Sequence, residues 1–230
     1  MSFLDKFIEK PQPPGGDAST AVLEPEKDPS EPEETISAGP GRRVEVFPYT
    51  AHADPQANLF LPWFWNRLKE DGLLNLYFPN DVERSFATFA AMMSGGARIL
   101  LVALVDEATG LATDTIGFAS WTPMMLGLSM VGNAGFIYLK DFWEQSITLA
   151  AGRRIEKMWF EEMEPKLDLA VGIIAKNNVL ARRYINRLGW KKCGELPGIQ
   201  QYAGEQADGE IWFVSRSQYE SRPQYAERKP

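Results

Sequence analysis

The sequence predicts a mixed α/β (α+β) domain, a central sheet flanked by helices, and three observations lead there. Apolar runs of strand length alternate with stretches whose apolar residues recur at helical spacing. Glycine, proline or a capping residue bounds most of these segments. A content of 44% hydrophobic and 24% charged residues over 230 positions is that of a globular chain, which excludes a coiled coil, a collagen-like fibre and wholesale disorder.

The elements follow in order. Residues 44–49 read as a first strand, ended by a turn-rich stretch that holds the single histidine, His52. Pro62 opens a helix through Leu68 that Gly72 ends, and Asp81 caps another over 82–93 that Gly95 and Gly96 stop. Residues 99–105 are apolar throughout, a strand covered on both faces. Strands over 115–121 and 134–139 come next, with the Met-rich run 123–133 read as a loop between them. A helix over 147–163 ends ahead of Pro165, and 167–174 is again strand. Asn178 caps a helix over 179–188 that Gly189 closes, and 190–194 and 210–215 supply the last strands.

The formal charge of −7 is concentrated near the N-terminus. Residues 11–41 hold seven acids against one lysine, and seven of the sixteen prolines. Such a stretch buries too little apolar surface to offset its ordering entropy, so 11–43 is expected to be a disordered linker. Ahead of it, Phe3, Leu4, Phe7 and Ile8 recur at helical spacing, and 1–10 is expected to be a short docking helix for a protein partner. The folded domain is expected over 44–216, with 217–230 a tail. Because that domain is nearly neutral, nucleic acid is not an expected partner. One cysteine and one histidine exclude a Cys/His metal cluster, and no apolar run approaches the roughly 20 residues of a membrane span. The expected setting is cytoplasmic.

The stretch from Asn178 to Trp190, with Ala181, Arg182 and Gly189, resembles the N-x-x-[SA]-R-x6-G-[FW] motif of the GCN5-related N-acetyltransferase superfamily, especially its ribosomal-protein branch. With the strand order, the resemblance covers 44–216. It implies a mostly antiparallel sheet and an acyltransferase that carries acetyl from acetyl-CoA to an amine by direct attack, without a metal. The alternative is a member of this fold that has lost catalysis and serves as a tethered component of an assembly such as a phage particle, which would make it virion-associated.

The resemblance also implies the site. The acetyl-CoA loop [QR]-x-x-G-x-[GA] fits Gln145, Thr148 and Ala150, with Thr148 where the family has glycine. Its purpose is to aim backbone amides at a pyrophosphate from a helix N-terminus. Leu139, Gln145, Thr148, Leu149, Ala150, Asn178 and Arg183 are the expected acetyl-CoA residues. The family's proton-donating tyrosine falls at Ile185, so Tyr184, one place earlier, is the candidate general acid. Asp141 and Glu144, just beyond the fourth strand, are the candidate bases.

Overall fold

A computed structural model describes residues 41–49, 57–78, 85–94, 98–143 and 145–222. Of the two units into which the chain divides, Met1–Glu31 and Pro32–Pro230, all of these belong to the second. The docking helix, most of the linker, His52, Asp81, the Gly95–Gly96 stop and Glu144 lie outside the described residues.

The strands are β1 (Arg42–Tyr49), β2 (Arg98–Asp106), β3 (Ala112–Leu126), β4 (Ser129–Tyr138), β5 (Leu169–Ala175), β6 (Lys191–Tyr202) and β7 (Glu205–Ser215). They form a single sheet in the order β1-β2-β3-β4-β5-β7-β6, antiparallel at every junction except β4–β5. The mostly antiparallel mixed sheet flanked by helices is the expected one, and all seven strands stand in the expected order.

Each face of the sheet carries its own core. Helices α1 (Ala57–Glu70), α2 (Leu74–Tyr77) and α3 (Phe86–Ser94), with Leu73 at the start of α2, contribute Phe64, Leu68 and Phe89, packed on Ile99, Phe118 and Leu139. On the opposite face, α4 (Ser146–Lys157), a π-helical turn (Met158–Glu162) and α5 (Val179–Arg187) cover Leu100, Val102 and Leu104, the alternate residues of β2.

Several boundaries differ from expectation. The run 123–133 is not a loop: β3 and β4 pair through Leu126↔Ser129, and the turn residue Gly127 has φ +62. Met124, Met125, Leu126 and Leu128 stay exposed there, so the inside–outside alternation that betrays a strand is missing. Pro62 lies inside α1, and burial of Leu61 and Phe64 against the sheet outweighs the amide it lacks. Helix α3 starts after Ser85, whose hydroxyl accepts from the Thr88 amide at 3.1 Å. The C-terminal tail is structured to residue 222. Ser215 and Gln218 form a reciprocal capping box on α6 (Arg216–Glu220), and Tyr219 stacks on Phe160 with centroids 5.0 Å apart.

Candidate functional site

The one parallel junction is also the shortest. Strands β4 and β5 pair only through Val131↔Leu169, Gly132↔Ala170 and Asn133↔Val171. Beyond that point Ala134–Tyr138 and Gly172–Ala175 diverge, and a cavity of about 470 Å³ occupies the space between them. Gly172 stands where they part; a Cβ there would lie 3.3 Å from the Ala134 carbonyl oxygen. Helices α4 and α5 close the cavity on one side of the sheet. Leu76 and Tyr77 of α2, with Gln200, Gln201 and Tyr202 of β6, contribute from elsewhere, so the space lies between the sheet's two layers of cover.

The first turn of α4 borders the cavity through Gln145, Thr148 and Leu149. Gln145 is the N-cap residue, but its side chain donates to the Asp141 carbonyl instead of capping the helix. Thr148 is buried, and its hydroxyl donates to the Gln145 carbonyl at 2.8 Å. The hydroxyl is therefore spent on its own turn and is not an additional donor for a ligand. What this end offers an anion is the positive end of the helix dipole, while the Gln145 and Thr148 amides already donate to the Phe142 and Gln145 carbonyls at 3.4 and 3.2 Å.

On α5, Asn178 accepts from the Ala181 amide at 3.1 Å, the expected cap, and Arg183 and Arg187 line the cavity. Three other basic residues of this region are engaged elsewhere. Arg182 and Lys192 converge on Glu210, at 2.9 and 3.0 Å, and Lys176 pairs with Glu195 at 3.1 Å. Glu210 is 1% exposed. Burial works to raise its pKa, but Lys192, Arg182 and the Trp212 indole together outweigh burial and hold the carboxyl below its ordinary range.

Tyr77, Tyr138 and Tyr184 line another part of the wall. The Tyr184 and Tyr138 hydroxyls are 2.7 Å apart, and their rings meet edge to face with centroids 5.5 Å apart. Tyr184 also meets Phe136 edge to face. The Tyr138 carbonyl accepts from the Tyr77 hydroxyl at 3.2 Å and from the Trp143 indole at 2.9 Å. Burial raises the pKa of Tyr77, Tyr138 and Tyr184, so all three are protonated phenols at neutral pH. Nearby Glu156 adds to this for Tyr138 and Tyr184.

Of the residues expected from sequence, Gln145, Thr148, Leu149, Asn178, Arg183 and Tyr184 meet at this cavity. Leu139 does not: its side chain is buried in the α1–α3 core and its amide donates to the Ile116 carbonyl at 2.8 Å. Ala150 lies on α4 outside the cavity wall. Asp141 is also outside it, 66% exposed and 2.6 Å from Arg67 Nη2. The described residues of the wall include no carboxylate. Tyr77, Tyr138 and Trp143 are site residues the sequence reading did not select. The signal for Tyr138 was present, since Ala134, Phe136 and Tyr138 alternate on one face of a strand.

The fold matches solved N-acetyltransferases. The structure is similar to spermidine N-acetyltransferase from Vibrio cholerae in complex with CoA and spermine, with a TM-score of 0.58 at 13% identity over 76% of this chain and 97% of that one. The same enzyme in complex with manganese ions gives 0.56 at 13%, over 78% and 96%. A chimera of it with hSSAT gives 0.58 at 14%, over 78% and 99%. These proteins belong to the GCN5-related superfamily, and the chain has their fold. No protein-family profile and no curated protein sequence matches it.

Proposed function

We propose that this protein is an acetyl-CoA-dependent N-acetyltransferase that acts on an amine by direct transfer. The observation that carries the reading is the divergence of β4 from β5 around a cavity that holds a helix N-terminus at one place and a protonated tyrosine at another. The residues present suit the co-substrate. The positive end of α4, with Arg183 and Arg187, provides for phosphates. The diverging strand edges expose backbone donors and acceptors for an extended amide chain. Acetyl-CoA, when bound, supplies an acetyl group activated as a thioester.

What remains is proton movement by this chain's own residues. Tyr184 holds a proton at Oη beside the cavity and is the group to deliver it to a departing thiolate. The proton that the attacking amine sheds passes to water or to Glu144, the candidate base that lies outside the described residues. The related enzyme bound to spermine, a polycation, supports an amine as acceptor here.

Calorimetric titration with acetyl-CoA, alongside thermal unfolding, tests the reading. A ligand at 100 times its dissociation constant stabilises a fold by about 2.7 kcal/mol, a measurable shift. Micromolar binding is expected. Absence of binding at millimolar acetyl-CoA would return the protein to the alternative, a fold of this kind without catalysis.

A further inference from the structure

The tyrosine pair carries an inference that rests on the reading of Tyr184 as proton donor. A hydrogen bond between two hydroxyls can run either way, and with both protons in place the direction is open. It closes once Tyr184 gives up its proton. The remaining phenolate can only accept, so the Tyr138 O–H must then donate to it. A hydrogen bond to a charged oxygen is roughly twice as strong as one between neutral groups. The contact therefore strengthens at the moment Tyr184 acts, which is the condition for assisting a step and not merely packing beside it.

Two further features hold the pair in place. Tyr138 is fixed at its backbone, where its carbonyl takes two side-chain donors from α2 and from the segment after β4. Tyr184 is fixed at its tip. A Cβ on Gly152 of α4 would lie 2.2 Å from its hydroxyl oxygen, so the hydroxyl occupies the room that a missing side chain leaves. We propose that Tyr138 is a positioning residue for Tyr184, holding its hydroxyl at the cavity and stabilising the phenolate left behind, and that Gly152 is the vacancy that makes this geometry possible. The protons balance: the thiolate sulfur takes the Tyr184 proton, and the proton shed by the acetylated nitrogen returns to Tyr184 through water.

The test compares Tyr138→Phe, Gly152→Ala and Tyr184→Phe. Tyr138→Phe is expected to lower kcat about ten- to hundredfold, the range of one hydrogen bond to a charged group, with KM for acetyl-CoA unchanged. Gly152→Ala is expected to lower kcat as well and, because its Cβ would also lie 2.7 Å from Leu188 Cδ1, to lower the thermal midpoint, which Tyr138→Phe leaves in place. A readout independent of turnover comes from the ligand-free protein. With tyrosines labelled with 13C at Cζ, the Tyr184 resonance, identified by its loss in Tyr184→Phe, is expected to shift in Tyr138→Phe. Tyr138→Phe with kcat within twofold of wild type and an unshifted resonance would overturn the proposal while Tyr184→Phe still fell. Full activity in Tyr184→Phe would overturn the donor assignment itself, and this inference with it.

Discussion

Two buried polar clusters flank α5, and they are built on opposite plans. The tyrosine cluster is neutral, held by single hydrogen bonds between hydroxyls and a carbonyl, and borders the cavity. The second cluster centres on Glu156 of α4, which is 0% exposed. Arg222 grips both of its oxygens, at 2.5 and 3.2 Å, and the Trp190 indole donates at 2.7 Å. Trp190 belongs to both regions, since its ring also lines the cavity and meets Phe136 edge to face. The difference teaches what each arrangement is for. A neutral pair loses little when one hydroxyl is removed and can pass a proton. A buried ion pair pins α4, α5 and the C-terminal segment together and cannot lose one partner cheaply.

The largest expected effect breaks the ionic cluster. Arg222→Ala leaves the Glu156 carboxylate buried without its cation and is expected to cost about 3 kcal/mol, read as a lowered urea midpoint. Burial already raises the Glu156 pKa despite Arg222 and Trp190. In the variant the carboxyl can take up a proton to relieve its charge, so the loss should be smaller in mild acid than at neutral pH. Tyr138→Phe should show the reverse profile, with kcat reduced and the urea midpoint nearly unmoved. A variant at Tyr138 as unstable as Arg222→Ala would erase the distinction between the clusters.

A middle-sized effect uses pH to separate two buried glutamates. Glu210 titrates below its ordinary value, so its ionised form is favoured by folding. Its contribution is fully present above the unfolded glutamate pKa of about 4.3 and is lost as pH falls through the lower, folded value. Glu156 titrates above its ordinary value, so folding favours its protonated form. Its contribution declines as pH rises from the unfolded value through the raised one. Glu210→Gln should therefore flatten the acid limb of the thermal midpoint against pH, and Glu156→Gln should flatten the limb above it. The same change of slope in both variants would contradict the assignment.

How much of this was legible in the sequence depends on the range of the interaction. Strands came through because apolar runs report local period, and Asn178 because a cap acts within three residues. The hairpin from Met124 to Leu128 did not, because exposed apolar side chains carry no inside–outside alternation. Helix α6 was readable and overlooked, since Ser215 and Gln218 have the spacing of a capping box. The tyrosine cluster was not readable. Tyr77 and Tyr138 are 61 positions apart, Tyr138 and Tyr184 another 46, and only the sheet brings them together. The vacancy at Gly152 is of the same kind, because a glycine within a helix does not announce which side chain fills its place.

Asp141 gives the smallest expected effect and the sharpest contrast with the tyrosines. Sequence position alone made it a candidate base, just past the end of β4. Its carboxylate lies instead outside the cavity, two-thirds exposed and paired with Arg67, a residue 74 positions earlier. Exposed ion pairs contribute about 0–1 kcal/mol, because water screens the charges and two long side chains must be held still. Asp141→Asn should thus shift the urea midpoint by less than Arg222→Ala and leave kcat, KM and the pH–rate profile as they are. A fall of kcat of a hundredfold or more in this variant would restore Asp141 as the base. It would also mean that the segment after β4 swings its carboxylate to the cavity during turnover, abandoning Arg67.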